Sequence, residues 1–289
     1  MENILEIRNL TKTFQGFTLN NISFSLPKGF ITGFIGPNGS GKTTTIKLIM
    51  NLLRKDEGEI SIFGLDHIKH ESEVKNRIGF VYDENHYYEE LTAEQMKRFV
   101  ASAYNNWDEE KFTSFARKFG LPLNKKIKDL SRGMKVKFSL AIALSHDADL
   151  LIMDEPTSGL DPVIRSEILD ILHDVIQDEN KGVFFSTHIT SDLDRIADYI
   201  IMIYKGEILF NKTKDELIEE HAIIKGPLSL LDTSLKNSLI GIKKGKYGFE
   251  AMAASREAAD ALVKAGATAE KPALEDIMLF YTRKENGNA

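Results

Sequence analysis

Gly36-Pro37-Asn38-Gly39-Ser40-Gly41-Lys42-Thr43 is the stretch on which the reading of this chain turns. It fits the pattern G-x-x-x-x-G-K-[ST]. Residues 30 to 35 before it form a short apolar run that reads as a strand. After it, Ile46, Ile49, Met50 and Leu53 recur at helical spacing over residues 42 to 53. Strand, glycine-rich loop and helix, in that order, are the context a phosphate-binding loop requires. The glycines let the backbone curl so that its N–H groups converge on a phosphate, and the helix N-terminus adds positive potential. A glycine-rich turn with a surface lysine is the competing reading, and the flanking strand and helix weigh against it. Asn38, Gly39, Ser40, Gly41, Lys42, Thr43 and Thr44 are therefore expected to hold a triphosphate, with Lys42 reaching the β- and γ-phosphates and the Thr43 hydroxyl ligating Mg²⁺.

A second feature bears on what the triphosphate is for. Leu150-Leu151-Ile152-Met153-Asp154-Glu155 reads as a buried strand ending in two carboxylates, and Pro156-Thr157-Ser158-Gly159-Leu160-Asp161-Pro162 follows directly. Asp154 suits Mg²⁺, mostly through water, and Glu155 suits a general base that polarises an attacking water. A strand that merely ends in solvated acids is common; the run that follows makes it the weaker reading here.

Outward from these two motifs, residues 4–7 and 17–24 alternate apolar and polar, as antiparallel strands do, and residues 59–63 form another strand. From about residue 84 to 147 the character is helical. Thr92 with Glu94 and Gln95 starts one helix, whose expected apolar face is Met96, Phe99, Val100 and Ala103. A second runs from Asp108 to Phe119 and a third begins near Ser131. Strands return at 150–153, 182–186 and 199–203 with helices between them, one entered through Pro162. That alternation predicts a mostly parallel α/β sheet. Beyond residue 221 the pattern loosens into short elements, an alanine-rich helix near 255–265 and an amphipathic one near 274–281. The expected organisation is a phosphate-loop unit over about 1–220 and a small α+β accessory or dimerisation domain over 221–289.

The 289 residues carry 42% hydrophobic and 28% charged side chains and a formal charge of −6, which predicts a folded, soluble chain and weighs against a general nucleic-acid surface. With no cysteine, disulfides, thiolate metal sites and cysteine nucleophiles are excluded. No run approaches the roughly 18 apolar residues of a membrane span, and the N-terminus does not read as a signal peptide. The chain is expected in the cytoplasm; any membrane part must come from another chain.

At this point the sequence resembles the ATP-binding subunits of ABC transporters, over roughly residues 1 to 220. Leu130-Ser131-Arg132-Gly133-Met134 stands where that family has its Leu-Ser-Gly-Gly-Gln signature. Ser158 to Asp161 matches the D-loop, His188 the switch histidine, and Phe14 the aromatic residue that stacks on adenine. The wording of the motifs is similar to exporter ATPases of Gram-positive bacteria, a group that includes systems for peptide antibiotics and phenol-soluble modulins. The resemblance implies a P-loop NTPase fold with a RecA-like core, an antiparallel β subdomain and an inserted α-helical subdomain. It implies ATP and Mg²⁺ as cofactors, with Lys42, Glu155 and His188 catalytic and Thr43, Asp83 and Asp154 on the metal. Phe14, Ser131, Gly133 and Asp161 join the P-loop residues as nucleotide contacts.

It further implies that two such subunits, expected to be a homodimer, sandwich ATP between the P-loop of one and the Ser131 helix of the other. An integral membrane subunit would hold the pair at the cytoplasmic face of the membrane and dock on the helical subdomain, where Tyr82, His86, Tyr87 and Tyr88 form a candidate aromatic rim; a partnerless surface loop is the alternative. Export is the expected direction, with an importer motor and a non-transport ABC protein as rivals. No nucleic-acid partner is expected.

Four positions in three motifs depart from the family. Arg132 and Met134 replace signature residues, and Arg132 points either at phosphate or away from it. Asp83 stands where the family has the Q-loop glutamine. Phe14 replaces the usual tyrosine, keeping stacking and losing a hydroxyl; an ordinary core or hairpin phenylalanine is the other reading. If Asp83 ligates Mg²⁺, a charge-removing Asp83→Asn change should raise the Mg²⁺ concentration needed for half-maximal turnover, because a hard cation favours an anionic oxygen. A turnover titration against Mg²⁺ checks this, and an unchanged midpoint removes Asp83 from the metal.

Overall fold

The computed structural model describes residues 2–82, 86–232 and 234–283. Two long strands, β1 (Asn3–Phe14) and β2 (Phe17–Pro27), form an antiparallel hairpin, and β3 (Ile31–Ile35) leads through the glycine-rich loop into α1 (Lys42–Ile49). Next come β4 (Glu57–Ile62), β5 (Leu65–Asp66), α2 (Glu71–Asn76) and β6 (Ile78–Val81). The expected helical region follows as α3 (Ala93–Ala101), α4 (Glu109–Lys118) and α5 (Arg132–Leu144). Then β7 (Leu150–Asp154), α6 (Pro162–Val175), β8 (Gly182–Thr187), α7 (Thr190–Ile196) and β9 (Tyr199–Tyr204) alternate. β10 (Glu207–Thr213) folds back on β9, and α8 (Lys214–Glu220) ends this part of the chain.

The central sheet has the order β10-β9-β3-β8-β7-β6, parallel throughout except for β10. β3, β7 and β8 are buried along their whole length, as expected of parallel strands covered on both faces. On one face, Phe34, Ile46, Ile152 and Phe184 pack against the antiparallel sheet β2-β1-β4-β5, with Phe34 and Phe184 ring centroids 5.1 Å apart. On the other, Ile35, Met153 and Phe185 pack in the same cluster as residues of α5, α6 and α7.

Registry makes this sheet a platform. Ile35 pairs with Thr187, and Asp154 with Ser186. The carboxyl ends of β3, β8 and β7 are thus nearly level, and the segments leaving them emerge side by side. Open parallel sheets bind ligands at such an edge.

The helix starts follow local chemistry. Thr92 and Gln95 form a reciprocal capping box at α3, and the Asp108 carboxylate accepts the Lys111 N–H at 2.9 Å to start α4. The apolar face of α3 differs from the expectation. Ala93 and Met96 are buried, but Phe99 is 57% exposed and meets Tyr88 edge-on at 5.7 Å. The helix stops at Ala101, so Ala103 lies beyond it, and Phe99 falls to the side of the short buried stripe. Tyr87 also departs from the proposed rim. It turns inward onto Phe138, 5.3 Å between centroids, and burial pushes its phenol up to about 12.

After α8, β11 (Ala222–Gly226), β12 (Leu239–Lys244), β13 (Phe249–Ala253), α9 (Arg256–Lys264) and β14 (Thr268–Glu270) build a separate antiparallel sheet in the order β12-β13-β11-β14. It has its own small core, including Ile224, Leu231, Phe249 and Leu262. The last helix, α10 (Leu274–Arg283), belongs to both units. Leu274, Ile277 and Phe280 are buried in one cluster with Leu193 and Ala197 near α7 and Ile240 and Met252 of the second sheet. The apolar face of α10 is therefore used within the chain. The Tyr281 hydroxyl also meets His221 Nε2 at 3.0 Å. Truncating Phe280 to alanine should destabilise the chain by about 3–5 kcal/mol. Chemical denaturation followed by circular dichroism checks this, and a loss below about 1 kcal/mol would mean that α10 is not a structural clasp.

Candidate active site

The loop between β3 and α1 is shaped by what its glycines omit. A side chain at Gly36 would begin 2.2 Å from the Ile203 carbonyl oxygen and 2.7 Å from Ser40 Oγ. Gly41, with φ 117°, stands at the N-terminus of α1, where no side chain caps the first turn and no acid occupies it. The first amides of α1 are thus left for an anion. Ser40 is buried beneath the loop, and its Oγ has no hydrogen-bond partner among the described residues.

Lys42 is 5% exposed. Its Nζ donates to the Gly36 carbonyl at 2.7 Å and to that of Pro37 at 3.4 Å, and it lies 3.3 Å from Glu155 Oε1. Glu155 reaches that position through a left-handed backbone, φ 47°, uncommon for a residue with a side chain. Its N–H is held by the Ser186 carbonyl at 3.0 Å. The other carboxylate oxygen accepts from His188, 2.6 Å from Nδ1 and 3.3 Å from the backbone nitrogen. Just before it, buried Asp154 accepts a 2.7 Å hydrogen bond from the Ser186 hydroxyl. Lys42, Glu155 and His188 form a continuous polar chain across the ends of β3, β7 and β8.

This chain lies in a cavity of about 630 Å³. Asn38, Gly39, Gly41, Lys42, Thr43, Thr44, Glu155 and His188, all expected from sequence, line it. Thr43 offers its hydroxyl to the cavity, whereas Asp154, buried against the Ser186 hydroxyl, is not among the lining residues; hydroxyl and carboxylate oxygens are the donors that Mg²⁺ takes. Other expectations fall elsewhere. Ser131 caps α5, its Oγ accepting the Met134 N–H at 3.3 Å. Gly133 is buried where a side chain would begin 2.6 Å from Ile164 Cδ1. The Asp161 carboxylate caps α6 through the Val163 and Ile164 N–H groups, at 3.0 and 3.1 Å. None of these three lines the cavity within one chain. Asp83 lies outside the described residues.

Phe14 is 39% exposed and is not among the cavity residues, so it is not a core residue either. Gly16 and Phe17, across the turn, line the cavity instead, as do Ser158 and Arg132. Sequence offers two phenylalanines three residues apart and no signal for which one lines the cavity; the hairpin pairs them directly, and of the two Phe17 lines it.

A family model described as ABC transporter matches residues 19–158. The uncharacterized ABC transporter ATP-binding protein YhcH of Bacillus subtilis is 33% identical over 225 residues, covering 76% of this chain and 74% of that protein. This chain belongs to the ABC transporter ATP-binding family. The bacitracin transport ATP-binding protein BcrA of Bacillus licheniformis is 32% identical, covering 72% of this chain and 69% of the relative. An ATP-binding cassette solved as a dimer in a post-hydrolysis state, bound to ADP and Pi, shares the fold with a TM-score of 0.65 at 23% identity, over 72% of this chain and 98% of its own. The protein is an ABC ATPase, the ATP-binding subunit of a transporter. Among its described residues no helix is long and apolar enough to cross a membrane.

In this ABC ATPase, Phe17→Ala should weaken ATP binding by about 1–3 kcal/mol, the usual worth of base–aromatic stacking, and Phe14→Ala should change it much less. Calorimetric titration of both variants checks this; the reverse order of effects would return the stacking role to Phe14.

Proposed function

We propose that this ABC ATPase hydrolyses ATP at Glu155 and drives a separate transmembrane exporter. The Lys42–Glu155–His188 chain in the P-loop cavity is the observation that carries the proposal. In the cavity Lys42 is paired with Glu155 and with two loop carbonyls. A triphosphate offers Lys42 stronger, charged acceptors. Drawn to the phosphate, Lys42 releases one oxygen of Glu155 while His188 still holds the other. Glu155 is then available to take the proton of a water as its oxygen forms a bond to the γ-phosphorus and the bond to the β–γ bridging oxygen breaks. Lys42 and His188 stabilise the charge that spreads over the transferring group. Thr43 and Asp154, with Asp83 a further candidate, would hold Mg²⁺, which when bound neutralises phosphate charge.

The active unit we infer is a homodimer. Ser131 is at the exposed N-terminus of α5 and outside its own chain's cavity, which suits delivery to the ATP of a partner subunit. That a cassette of this fold is known as a dimer with ADP and Pi supports the arrangement. Tyr88 and Phe99, exposed on the helical subdomain, suit contact with the integral membrane subunit that would keep the protein at the cytoplasmic face of the membrane. The bacitracin transport relative and the wording of the signature support export of amphipathic or antimicrobial peptides. We assign residues 1–220 to the ATPase and 221–289 to an accessory domain.

Glu155→Gln should retain ATP binding and lower turnover by about 10²–10⁴-fold, the usual worth of a general base, and ATP should hold the variant as a dimer. Phosphate release and light scattering with saturating ATP and Mg²⁺ check both. Near-normal turnover would remove Glu155 from the chemistry, and a persistent monomer in the presence of the membrane subunit would remove the sandwich.

A further inference from the structure

We infer that Arg165 is a positioning residue for hydrolysis: through buried Asp192 it sets where His188 stands, and so where His188 holds Glu155. The inference rests on the reading of Lys42, Glu155 and His188 as the hydrolytic chain. His188 lies between Thr187, the last residue of β8, and the start of α7. That helix has seven residues, and no side chain caps its first turn. The turn closes on the Asp192 N–H, which donates to the Ile189 carbonyl at 3.2 Å, while the Ile189 N–H donates to Thr187 Oγ1 at 2.9 Å. The place of His188 is thus set from one side by β8 and from the other by Asp192.

Asp192 in turn is held by α6. Its side chain is 4% exposed, and Arg165 Nη2 donates to Oδ1 at 2.5 Å. The second oxygen, Oδ2, is buried with no hydrogen-bond partner among the described residues, so the guanidinium is what meets the charge. A buried carboxylate parted from its cation is costly, and Asp192 must stay where Arg165 is. Arg165 is the better anchored of the two. It belongs to a helix of 14 residues, entered through Pro162 and capped by the Asp161 carboxylate on two N–H groups. Its neighbour Ile164 presses on Gly133 of α5, where a side chain would begin 2.6 Å from Ile164 Cδ1. A second link between α6 and α7, Arg195 with Ser166 at 2.8 Å and with Asp170 at 2.6 Å, joins side chains that are 47% exposed at the arginine and 65% at the aspartate, and exposed pairs contribute little. The buried pair therefore secures α7, and with it the 2.6 Å contact of His188 Nδ1 with Glu155. A displaced α7 would loosen that contact and leave the glycine-rich loop as it is, so the loss falls on the chemical step rather than on nucleotide binding.

Steady-state ATP hydrolysis by the full-length protein at saturating Mg²⁺ tests this. Arg165→Ala should lower kcat on the order of 10- to 100-fold, since about 1 Å of misplacement can cost 100-fold, and keep the KM for ATP within about twofold, as expected when ground-state binding is spared. Arg165→Lys should recover part of the loss. In a His188→Ala background, Arg165→Ala should cost less than about twofold more, because the two residues act through one contact. Losses that multiply in the double variant would show that Arg165 does not act through His188 and would overturn the inference. A loss in Arg195→Ala as large as that in Arg165→Ala would overturn it in favour of helix packing at large. If Arg165→Ala does not fold, the pair Arg165→Met with Asp192→Asn, which leaves no buried charge unpaired, replaces it in the same comparison, and wild-type kcat in that pair would overturn the inference. His188→Ala with wild-type turnover would remove His188 from the chemistry and take the inference with it, whereas multiplying losses leave that reading standing.

Discussion

Everything at the site depends on parallel pairing among β3, β8 and β7. Each strand is short and fully buried, so its register is fixed by side chains packed on both faces. That register levels Ile35 with Thr187 and Asp154 with Ser186. The lysine after β3, the glutamate after β7 and the histidine after β8 then meet within hydrogen-bonding or ion-pair distance. A slip of one residue in any strand would exchange side chains between its two packed faces and carry its functional residue out of register.

The cavity holds opposite charges at close quarters, and burial makes each depend on the others. Lys42 and Glu155 have side chains only 6% and 13% exposed. An unpaired charge at such positions would be costly. Together with two loop carbonyls and His188 they satisfy one another. The pairing is displaceable, because a triphosphate offers Lys42 stronger, charged acceptors. Glu155 contributes a backbone in the left-handed region, a local strain of the kind that collects at functional sites.

The C-terminal sheet is joined to the ATPase by more than its connecting residue. α10 places Leu274, Ile277 and Phe280 in the main hydrophobic cluster, and Tyr281 ties back to His221, the residue between α8 and β11. Burial there holds the His221 imidazole below its ordinary pKa. Helix, hinge residue and second sheet are thus coupled to α7, whose N-terminus follows His188 by two residues. Movement of the second sheet relative to the ATPase must work against that packing.

How much of this could be read in advance divides along physical lines. The phosphate loop, the Asp154-Glu155 strand end and the helix starts at Thr92, Asp108 and Pro162 are local. They depend on glycine conformational freedom, strand burial and capping chemistry within a few residues, and the sequence shows them directly. The family motifs made His188 legible although it lies 33 residues from Glu155. Which side chains meet was decided by tertiary structure. Phe14 and Phe17 are equivalent as chemistry and directly paired in the hairpin, and only the placement of the turn against the phosphate loop makes Phe17 the one that lines the cavity. Tyr87 looks like its exposed neighbour Tyr88 until Phe138 is placed beneath it. The α10 stripe shows an apolar face but not its partner, since burial within a chain and burial between chains impose the same pattern. Arg132 is ambiguous for a related reason. Whether a long cation at a helix start points at phosphate or away from it depends on the backbone it crosses, and that backbone, at Gly159, is brought beneath it only by the fold.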